Sequence, residues 1–208
     1  MIQKNTTKII LTDIDGVILD FGQTFLKFLE EVKGEVTTVE DYFRGKREIP
    51  LEEHQRIVAE YTHSDYFRHL NPKLCALDVL NGLRKEGWRF IAVTACDTEH
   101  PDQCIKTAYN NRMENLERHF PDVFEDMHFS PWSTGKKEIL SRYQPTWWID
   151  DRADHAHDGH DAGHKAIIMR GEDAHIDANN HANLPIVETW HEIKALIDAD
   201  VSSKTHVA

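Results

Sequence analysis

The chain has 208 residues, of which 40% are hydrophobic and 29% charged, as is typical of one soluble globular domain with a modest insertion. Its 36 acidic and 24 basic residues give a formal net charge of −12, which disfavours binding to nucleic-acid polymers and anionic membranes. A polar start and the lack of an apolar run of roughly 18 residues predict no signal peptide and no membrane helix, and three cysteines without zinc-type spacing indicate a reducing, cytoplasmic protein.

The first predicted strand covers residues 8–14 and runs into two carboxylates, Asp13 and Asp15, which Gly16 follows directly. Charged groups are costly to bury and aspartate is rare in strands, so the pair predicts a functional site at the end of this strand. A spacing of two residues would place both side chains on one face of the strand. Gly16 would let the backbone turn away and present amides to a phosphate.

Residues 20–74 are mostly helical in pattern and lack a clear strand, which predicts a small helical cap inserted after the first strand. Beyond the cap, strands alternate with helices, and this alternation predicts a Rossmann-like, doubly wound parallel α/β sheet. The catalytic core would comprise residues 1–19 and 75–200, and residues 201–208 would form a flexible tail. The remaining predicted strands are residues 89–95, 126–130, 146–150 and 165–169, and the last predicted helix is 188–200.

Polar residues recur at the carboxyl ends of these strands, which is where ligands bind in open α/β sheets. After the Asp13 pair they are Thr94, the helix start Gly135-Lys136-Lys137, and the pair Asp150 and Asp151. One carboxylate could attack phosphorus while a second protonates the leaving alkoxide, so the set indicates phosphoryl transfer. Converging carboxylates repel one another unless a cation lies among them, and Mg²⁺ prefers oxygen ligands.

Four segments, "DIDGV", "VTA", "GKKEIL" and "WWIDD", resemble in this order the motifs of the haloacid-dehalogenase-like hydrolase superfamily. The resemblance implies a Mg²⁺-dependent hydrolase in which Asp13 is the nucleophile, Asp15 the general acid and base, and Thr94 a phosphate ligand. It also implies that Asp150 binds Mg²⁺ together with the Asp13 side chain and the Asp15 backbone carbonyl. Asp151 would support the water shell of the metal.

The resemblance further implies a lysine at the start of the helix that follows the third strand. Lys136 fits best, because Ile139 and Leu140 follow it at the usual helical offset, and Lys137 is the alternative. Such a lysine offsets negative charge on the nucleophile and on the phosphoryl oxygens.

Asp15 favours a phosphatase, because the true haloacid dehalogenases lack the second aspartate. The segments "DIDGVILDF", "YNNRMENLERHF" and "IDDR" resemble the 5'(3')-deoxyribonucleotidases, which remove phosphate from nucleoside monophosphates. The resemblance implies that Phe21 holds the base and that Tyr66 and Phe67 lie near cap aromatics with the same role. Ala95 stands where that family usually has serine, which leaves one phosphate or sugar contact open.

Two other functions stay open. One is the same chemistry on another small phosphate, such as a sugar phosphate or a nucleic-acid end. The other is a non-catalytic metal-binding module in the His-rich segment 155–181, where His157, His160 and His164 could share a helix face and bind Zn, Cu or Ni. The expected partner is a small phosphorylated substrate rather than a nucleic-acid polymer or a membrane, and a homodimer stays open.

Overall fold

The computed structural model describes residues 8–34, 37–38, 42, 50–96, 102–131, 135–170 and 183–205. Six strands form one sheet: β1 (Ile9–Thr12), β2 (Arg89–Cys96), β3 (Phe124–Pro131), β4 (Trp147–Asp150), β5 (Lys165–Met169) and β6 (Ile186–Val187). Their spatial order is β3-β2-β1-β4-β5-β6, and every neighbouring pair is parallel. The predicted Rossmann-like parallel sheet is therefore confirmed, and β6 is a strand that the sequence pattern did not indicate.

Eight α-helices are described: α1 (Phe21–Phe28), α2 (Leu51–Thr62), α3 (Asp65–Arg68), α4 (Ala76–Lys85), α5 (Asp102–His119), α6 (Lys137–Leu140), α7 (Ala153–Asp161) and α8 (Trp190–Thr205). A π-helical turn, Leu29–Lys33, continues α1. Helix α8 runs past the predicted limit at residue 200, so residues 201–205 are helical where a flexible tail was expected. Asp200 pairs with Lys165 of β5, and this contact holds the helix against the sheet at that point.

Apolar side chains cover both faces of the sheet, as a parallel sheet requires. Successive strand residues point to opposite faces, so Ile10 belongs to one apolar cluster, which also contains Phe25 and Tyr61, whereas Leu11 belongs to a second cluster with Trp148 and Leu140. The first cluster includes residues from the segment between β1 and α4 as well as from the sheet. The predicted cap therefore shares a continuous apolar core with the sheet in the described residues.

The segment that connects β1 to α4 contains α1, the π-helical turn, α2 and α3, in agreement with its helical sequence pattern. Asp20 caps α1, because its side chain accepts a hydrogen bond from the Gln23 amide. An isolated antiparallel β-bridge between Leu19 and Pro72 brings the two ends of this segment together. Within the described part of the chain, no helix combines the length and the apolar character that crossing a bilayer would require.

Candidate active site

The neighbouring central strands β1 and β4 bring buried carboxylates together at the carboxyl end of the sheet. Asp13 follows β1, and its amide donates to the Ile149 carbonyl of β4 at 2.8 Å. Asp150 is the last residue of β4. Lys136 lies between the two carboxylates, with its Nζ 2.9 Å from Oδ1 of Asp13 and 2.8 Å from Oδ2 of Asp150.

The structure places the two candidate lysines in opposite environments. Lys136 is fully buried, and its Nζ lies 5.2 Å from the centre of the Trp148 ring. Gly135 has a φ of 66°, and the next amide, that of Lys136, donates to Asp158 at 3.0 Å. Lys137 lies on the surface and pairs with Asp161 at 3.0 Å. Lys136 therefore contacts the carboxylates, whereas Lys137 points away from them.

Burial and neighbouring charges give the carboxyl groups of Asp13 and Asp150 different pKa values. Burial is the main reason that the pKa of Asp13 is raised to about 6; attraction to Lys136 opposes this shift, and repulsion from Asp150 and Asp15 adds to it. Burial also acts to raise the pKa of Asp150, but Lys136 and His155 lower it to about 2. Burial lowers the pKa of Lys136, yet its two carboxylate partners raise it above the ordinary value, so the ammonium group stays protonated.

Asp13, Asp150 and Asp151 can each offer one oxygen to a shared ion, and these oxygens lie within 4.8 Å of one another. All three residues are buried. Hard oxygen donors of this kind suit Mg²⁺ better than a nitrogen- or sulfur-preferring metal. The side chain of Asp15 lies outside this group, so its predicted contribution to the metal through the backbone carbonyl stays a prediction.

Gly16 has a φ of 71°, and a Cβ at this position would overlap the carboxylate of Asp151. Asp151 thus takes a position that only glycine leaves open. We expect Gly16→Ala to lower the free energy of unfolding by about 2–4 kcal/mol, from left-handed strain and from displacement of Asp151. Gly34 has a φ of 68° and no atom within 4 Å of a built Cβ.

Gly34→Ala is therefore the matched control, since it carries the backbone strain without the overlap. Urea denaturation of both variants should show a cost of about 1–2 kcal/mol for Gly34→Ala and a clearly larger one for Gly16→Ala. Equal costs would show that Asp151 does not depend on the space above Gly16.

Arg112 of α5 is a residue of the site that the sequence analysis missed. Its Nη2 donates to Oδ2 of Asp15, and its side chain is 4% exposed. The guanidinium carbon lies 4.6 Å from the centre of the Phe67 ring. The signal was present in the sequence, since Ala108, Arg112 and Leu116 follow helical spacing and Arg112 thus falls on the buried stripe of α5.

The net charge of the site matches the charge of a divalent cation. Four carboxylates, those of Asp13, Asp15, Asp150 and Asp151, face two buried cations, Lys136 and Arg112. With all six groups ionised, two negative charges remain. This balance and the oxygen donor set fit Mg²⁺.

Several buried polar atoms near the carboxyl ends of the strands have no hydrogen-bond partner. They are Thr94 Oγ1, Ser130 Oγ, Asp15 Oδ1 and Arg112 Nη1. Such atoms are costly to leave unpaired, so those of Thr94 and of the Asp15–Arg112 pair indicate a site that a polar ligand completes, whereas Ser130 points to the opposite face of the sheet from Thr94. Ser130 lies opposite Ala95 in the β2–β3 register and offers a hydroxyl on the neighbouring strand.

The predicted base-binding aromatics divide into two environments. Phe21 and Phe67 pack edge to face at 6.3 Å between ring centres, and Phe67 also contacts Arg112. Tyr66 faces elsewhere, because its hydroxyl donates to Glu31 at 2.5 Å and its ring packs on Phe28. The structure thus brings Phe67 to the Asp15 side of the site and leaves Tyr66 in contact with α1 and the π-helical turn that continues it.

The histidine segment does not form the predicted shared helix face. Helix α7 ends at Asp161, and His164 follows Gly163, whose φ is 89°. Both ring nitrogens of His164 bond to the backbone, since Nδ1 accepts from the Thr146 amide at 3.2 Å and Nε2 donates to the Leu140 carbonyl at 3.0 Å. The prediction of a common face was wrong because the helix closes first; His175 and His181 lie outside the described residues.

One histidine joins the carboxylate cluster. Nδ1 of His155 lies 3.5 Å from Oδ2 of Asp150, and its side chain is buried. The backbone carbonyl of His155 accepts a hydrogen bond from the Trp148 ring at 3.0 Å. His155 therefore supports the position of Asp150 from the side of α7.

Solved structures similar to this chain share its fold. A predicted phosphatase from Clostridium acetobutylicum has a TM-score of 0.64 and 14% identity, with 92% of this chain and 99% of that chain covered. D,D-heptose 1.7-bisphosphate phosphatase from B. bronchiseptica, complexed with magnesium and phosphate, has a TM-score of 0.55 and 10% identity, with 93% and 99% covered. At such identities the likeness shows the fold alone.

Two sequence comparisons extend over most of the chain. An uncharacterized 32.4 kDa protein of Enterobacteria phage T4, from the Gp30-rIII intergenic region, is 29% identical over 201 residues, with 89% of this chain and 68% of the relative covered. The family model described as "5' nucleotidase, deoxy (Pyrimidine), cytosolic type C protein" matches residues 7–205. The family match confirms the resemblance to the nucleotidases of the haloacid-dehalogenase-like superfamily. The chain belongs to the 5' nucleotidase, deoxy (pyrimidine), cytosolic type C family.

Proposed function

We propose that this chain is a Mg²⁺-dependent phosphomonoesterase that hydrolyses (deoxy)ribonucleoside monophosphates to nucleoside and phosphate. The observation that carries the proposal is the buried Lys136, whose ammonium group contacts both Asp13 and Asp150 beside a third carboxylate, Asp151. The family match supports the phosphomonoesterase class and, as a finer step, the nucleotide substrate. The family description also supports a cytoplasmic location as part of this proposal.

Asp13, Asp150 and Asp151 would hold Mg²⁺, with the backbone carbonyl of Asp15 as a further oxygen ligand. When bound, the ion neutralises phosphoryl charge and orients the phosphate. The remaining positive charge comes from the chain itself. Lys136 stays protonated and close to Asp13, so it offsets charge on the nucleophile and on the phosphoryl oxygens.

In the first step of the proposed reaction, an Oδ atom of Asp13 attacks phosphorus, and the bond from phosphorus to the nucleoside oxygen breaks. Asp15, as the general acid, gives a proton to that oxygen, which leaves as the nucleoside hydroxyl. Thr94 Oγ1, buried without a partner, would donate to a phosphoryl oxygen. The product of this step is an aspartyl-phosphate on Asp13.

In the second step, Asp15 takes a proton from water as the water oxygen attacks phosphorus. The bond from phosphorus to the Asp13 oxygen breaks, which regenerates the Asp13 carboxylate and the protonated Asp15 and releases phosphate. Bulk water must be kept out between the two steps. The aromatic cluster of Phe21, Tyr61 and Phe67 would exclude it, and Phe21, the partly exposed member, would offer ring surface to a nucleobase.

Phosphate release by the purified chain tests the substrate class. The substrates would be 5'- and 3'-nucleoside monophosphates with ribose or deoxyribose, a sugar phosphate, a 5'-phosphorylated oligonucleotide and an aryl phosphate, each with and without Mg²⁺. Selective, Mg²⁺-dependent hydrolysis of nucleoside monophosphates is the expected result. Hydrolysis of only the sugar or aryl phosphate would keep the chemistry and reject the nucleotide assignment.

Mg²⁺ affinity should depend on pH through Asp13. Because the pKa of Asp13 is raised to about 6, a proton occupies this carboxylate at lower pH and competes with the metal. Affinity should therefore fall by about tenfold per pH unit below pH 6 and level off above it. Asp150, with a pKa of about 2, adds no dependence in this range.

Calorimetric titration with Mg²⁺ between about pH 5 and pH 7.5 measures this dependence. The Asp13→Asn variant is the control, since it has no proton to lose at this position. A native affinity that stays constant down to about pH 5 would contradict the assignment of Asp13 as a ligand whose proton the metal displaces.

A further inference from the structure

Arg112 has a donor that no protein group uses. Its Nη2 donates to Asp15, whereas its Nη1 is buried and has no hydrogen-bond partner. Oδ1 of Asp15, the other oxygen of that carboxylate, is also buried without a partner. A guanidinium group is always charged and binds phosphate well through paired N–H groups, so an unpaired buried Nη1 is a prepared anion donor.

The site needs such a donor. The chain carries a net charge of −12, and its substrate under the proposed function is a phosphate dianion. Among the buried residues that the structure describes, the cationic side chains are Lys136 and Arg112. Lys136 already donates to two carboxylates, so Arg112 is the buried cation with an unpaired donor nitrogen.

Arg112 lies on the same side of the sheet as the predicted phosphate ligand Thr94. Leu116, one helical turn from Arg112, packs in the apolar cluster that contains Phe90 and Ala92 of β2. Side chains alternate along a strand, so Thr94 points to the same face of the sheet as Ala92 and Phe90. Arg112 Nη1 and Thr94 Oγ1 are thus two unpartnered donors on one side of the sheet.

The guanidinium group is held in place before any ligand binds. It lies over the ring of Phe67 of α3, and its Nη2 donates to Asp15, so two contacts restrain the group. On the same helix, Asn111 donates to the Thr62 carbonyl at 3.1 Å and Asn115 donates to the Phe67 carbonyl at 2.9 Å. These bonds join α5 to the segment that carries Phe67, so Arg112 loses little conformational entropy when it binds an anion.

We propose that Arg112 binds the phosphoryl group of the substrate through Nη1 while its Nη2 positions the carboxylate of Asp15. Phosphate monoester dianions are the ligand class. The inference rests on the proposed function for its substrate, but inorganic phosphate serves as a probe whether or not nucleotides are hydrolysed.

Calorimetric binding of inorganic phosphate to the Mg²⁺-loaded chain tests this inference. Arg112→Gln should weaken phosphate binding by about 10- to 100-fold, the range for loss of a charge-assisted hydrogen bond. The phosphate affinity of Arg112→Lys should lie between those of the native chain and Arg112→Gln, because lysine keeps the charge but cannot contact Asp15 and phosphate together. Arg118→Gln is the matched control, since Arg118 lies on the same helix, is exposed and donates to the Arg68 carbonyl at 3.0 Å. Its phosphate affinity should stay within about twofold of native.

Asp15→Asn separates direct binding from positioning. If Arg112 contacts phosphate itself, Asp15→Asn should bind phosphate at least as tightly as the native chain, because one negative charge is gone and Arg112 remains. Phosphate affinity that is unchanged in Arg112→Gln and Arg112→Lys, with a loss confined to kcat, would overturn the inference and leave Arg112 as a positioning residue for Asp15. Absence of phosphate binding by the native chain would also overturn it. If the native chain binds phosphate in this way but does not hydrolyse nucleotides, the result would instead count against the proposed function.

Discussion

Replacing Asp13 with asparagine should reduce phosphate release by at least about 10⁴-fold while the chain stays folded. The amide cannot form the phosphoryl bond, yet its oxygen can still accept the hydrogen bond that Asp13 accepts from the Ile14 amide at 2.7 Å. The measurement is kcat on the best substrate of the panel, with urea denaturation of the same sample. Residual activity within tenfold of native would contradict the assignment of Asp13 as the nucleophile.

The same variant should be more stable than the native chain without metal. Burial and carboxylate neighbours raise the pKa of Asp13 from 3.8 to about 6. Because the pKa of Asp13 is higher in the folded chain than in the unfolded chain, its contribution to the free energy of unfolding is fully present below the unfolded-state pKa. This contribution is lost as pH rises through the folded-state pKa. The loss amounts to as much as about 3 kcal/mol above pH 6, and Asp13→Asn should recover part of it. A less stable Asp13→Asn variant at pH 7.5 would show that attraction to Lys136 outweighs this repulsion.

Replacing Lys136 with methionine should be the most destabilising single change in the site. It leaves Asp13 and Asp150 buried without their shared cation, and breaking a buried ion pair in this way costs about 3–5 kcal/mol. Lys137→Met is the matched control, because its pair with Asp161 is exposed and should contribute less than about 1 kcal/mol.

Urea denaturation of both lysine variants, with and without Mg²⁺, provides the measurement. Mg²⁺ should restore part of the stability of Lys136→Met, since a divalent cation among the carboxylates replaces the lost positive charge. Equal stability of the two variants would contradict the central position of Lys136.

The sheet could be predicted because buried parallel strands appear in sequence as short apolar runs. Strand β6 was not predicted, because the two residues Ile186–Val187 are too few to form a sequence pattern. The end of α8 escaped because its last turn is polar, and the contact between Asp200 and Lys165 depends on the folded chain.

The carboxylates of the site could be predicted because each follows an apolar run at the same end of the sheet. The helical offset to Ile139 and Leu140 favoured Lys136 over Lys137, and the structure brings Lys136 to the carboxylates and leaves Lys137 on the surface. Arg112 was missed because its partner, Asp15, lies 97 residues away in sequence. Only tertiary packing brings α5 to the end of β1, although the helical spacing of the buried positions marked Arg112 as an inward-facing charge.

The central claim is that the phosphoryl group passes through Asp13, and trapping the phosphorylated chain tests it most directly. The Asp15→Asn variant should be mixed with Mg²⁺ and an aryl phosphate, whose leaving group needs no proton, and then quenched in acid. Peptide mass spectrometry should find one phosphoryl group on Asp13, accumulated because Asp15 is absent as the base for hydrolysis. The Asp13→Asn variant should carry none. A phosphoryl group on another residue, or native turnover without any phosphorylated form in Asp15→Asn, would contradict the account.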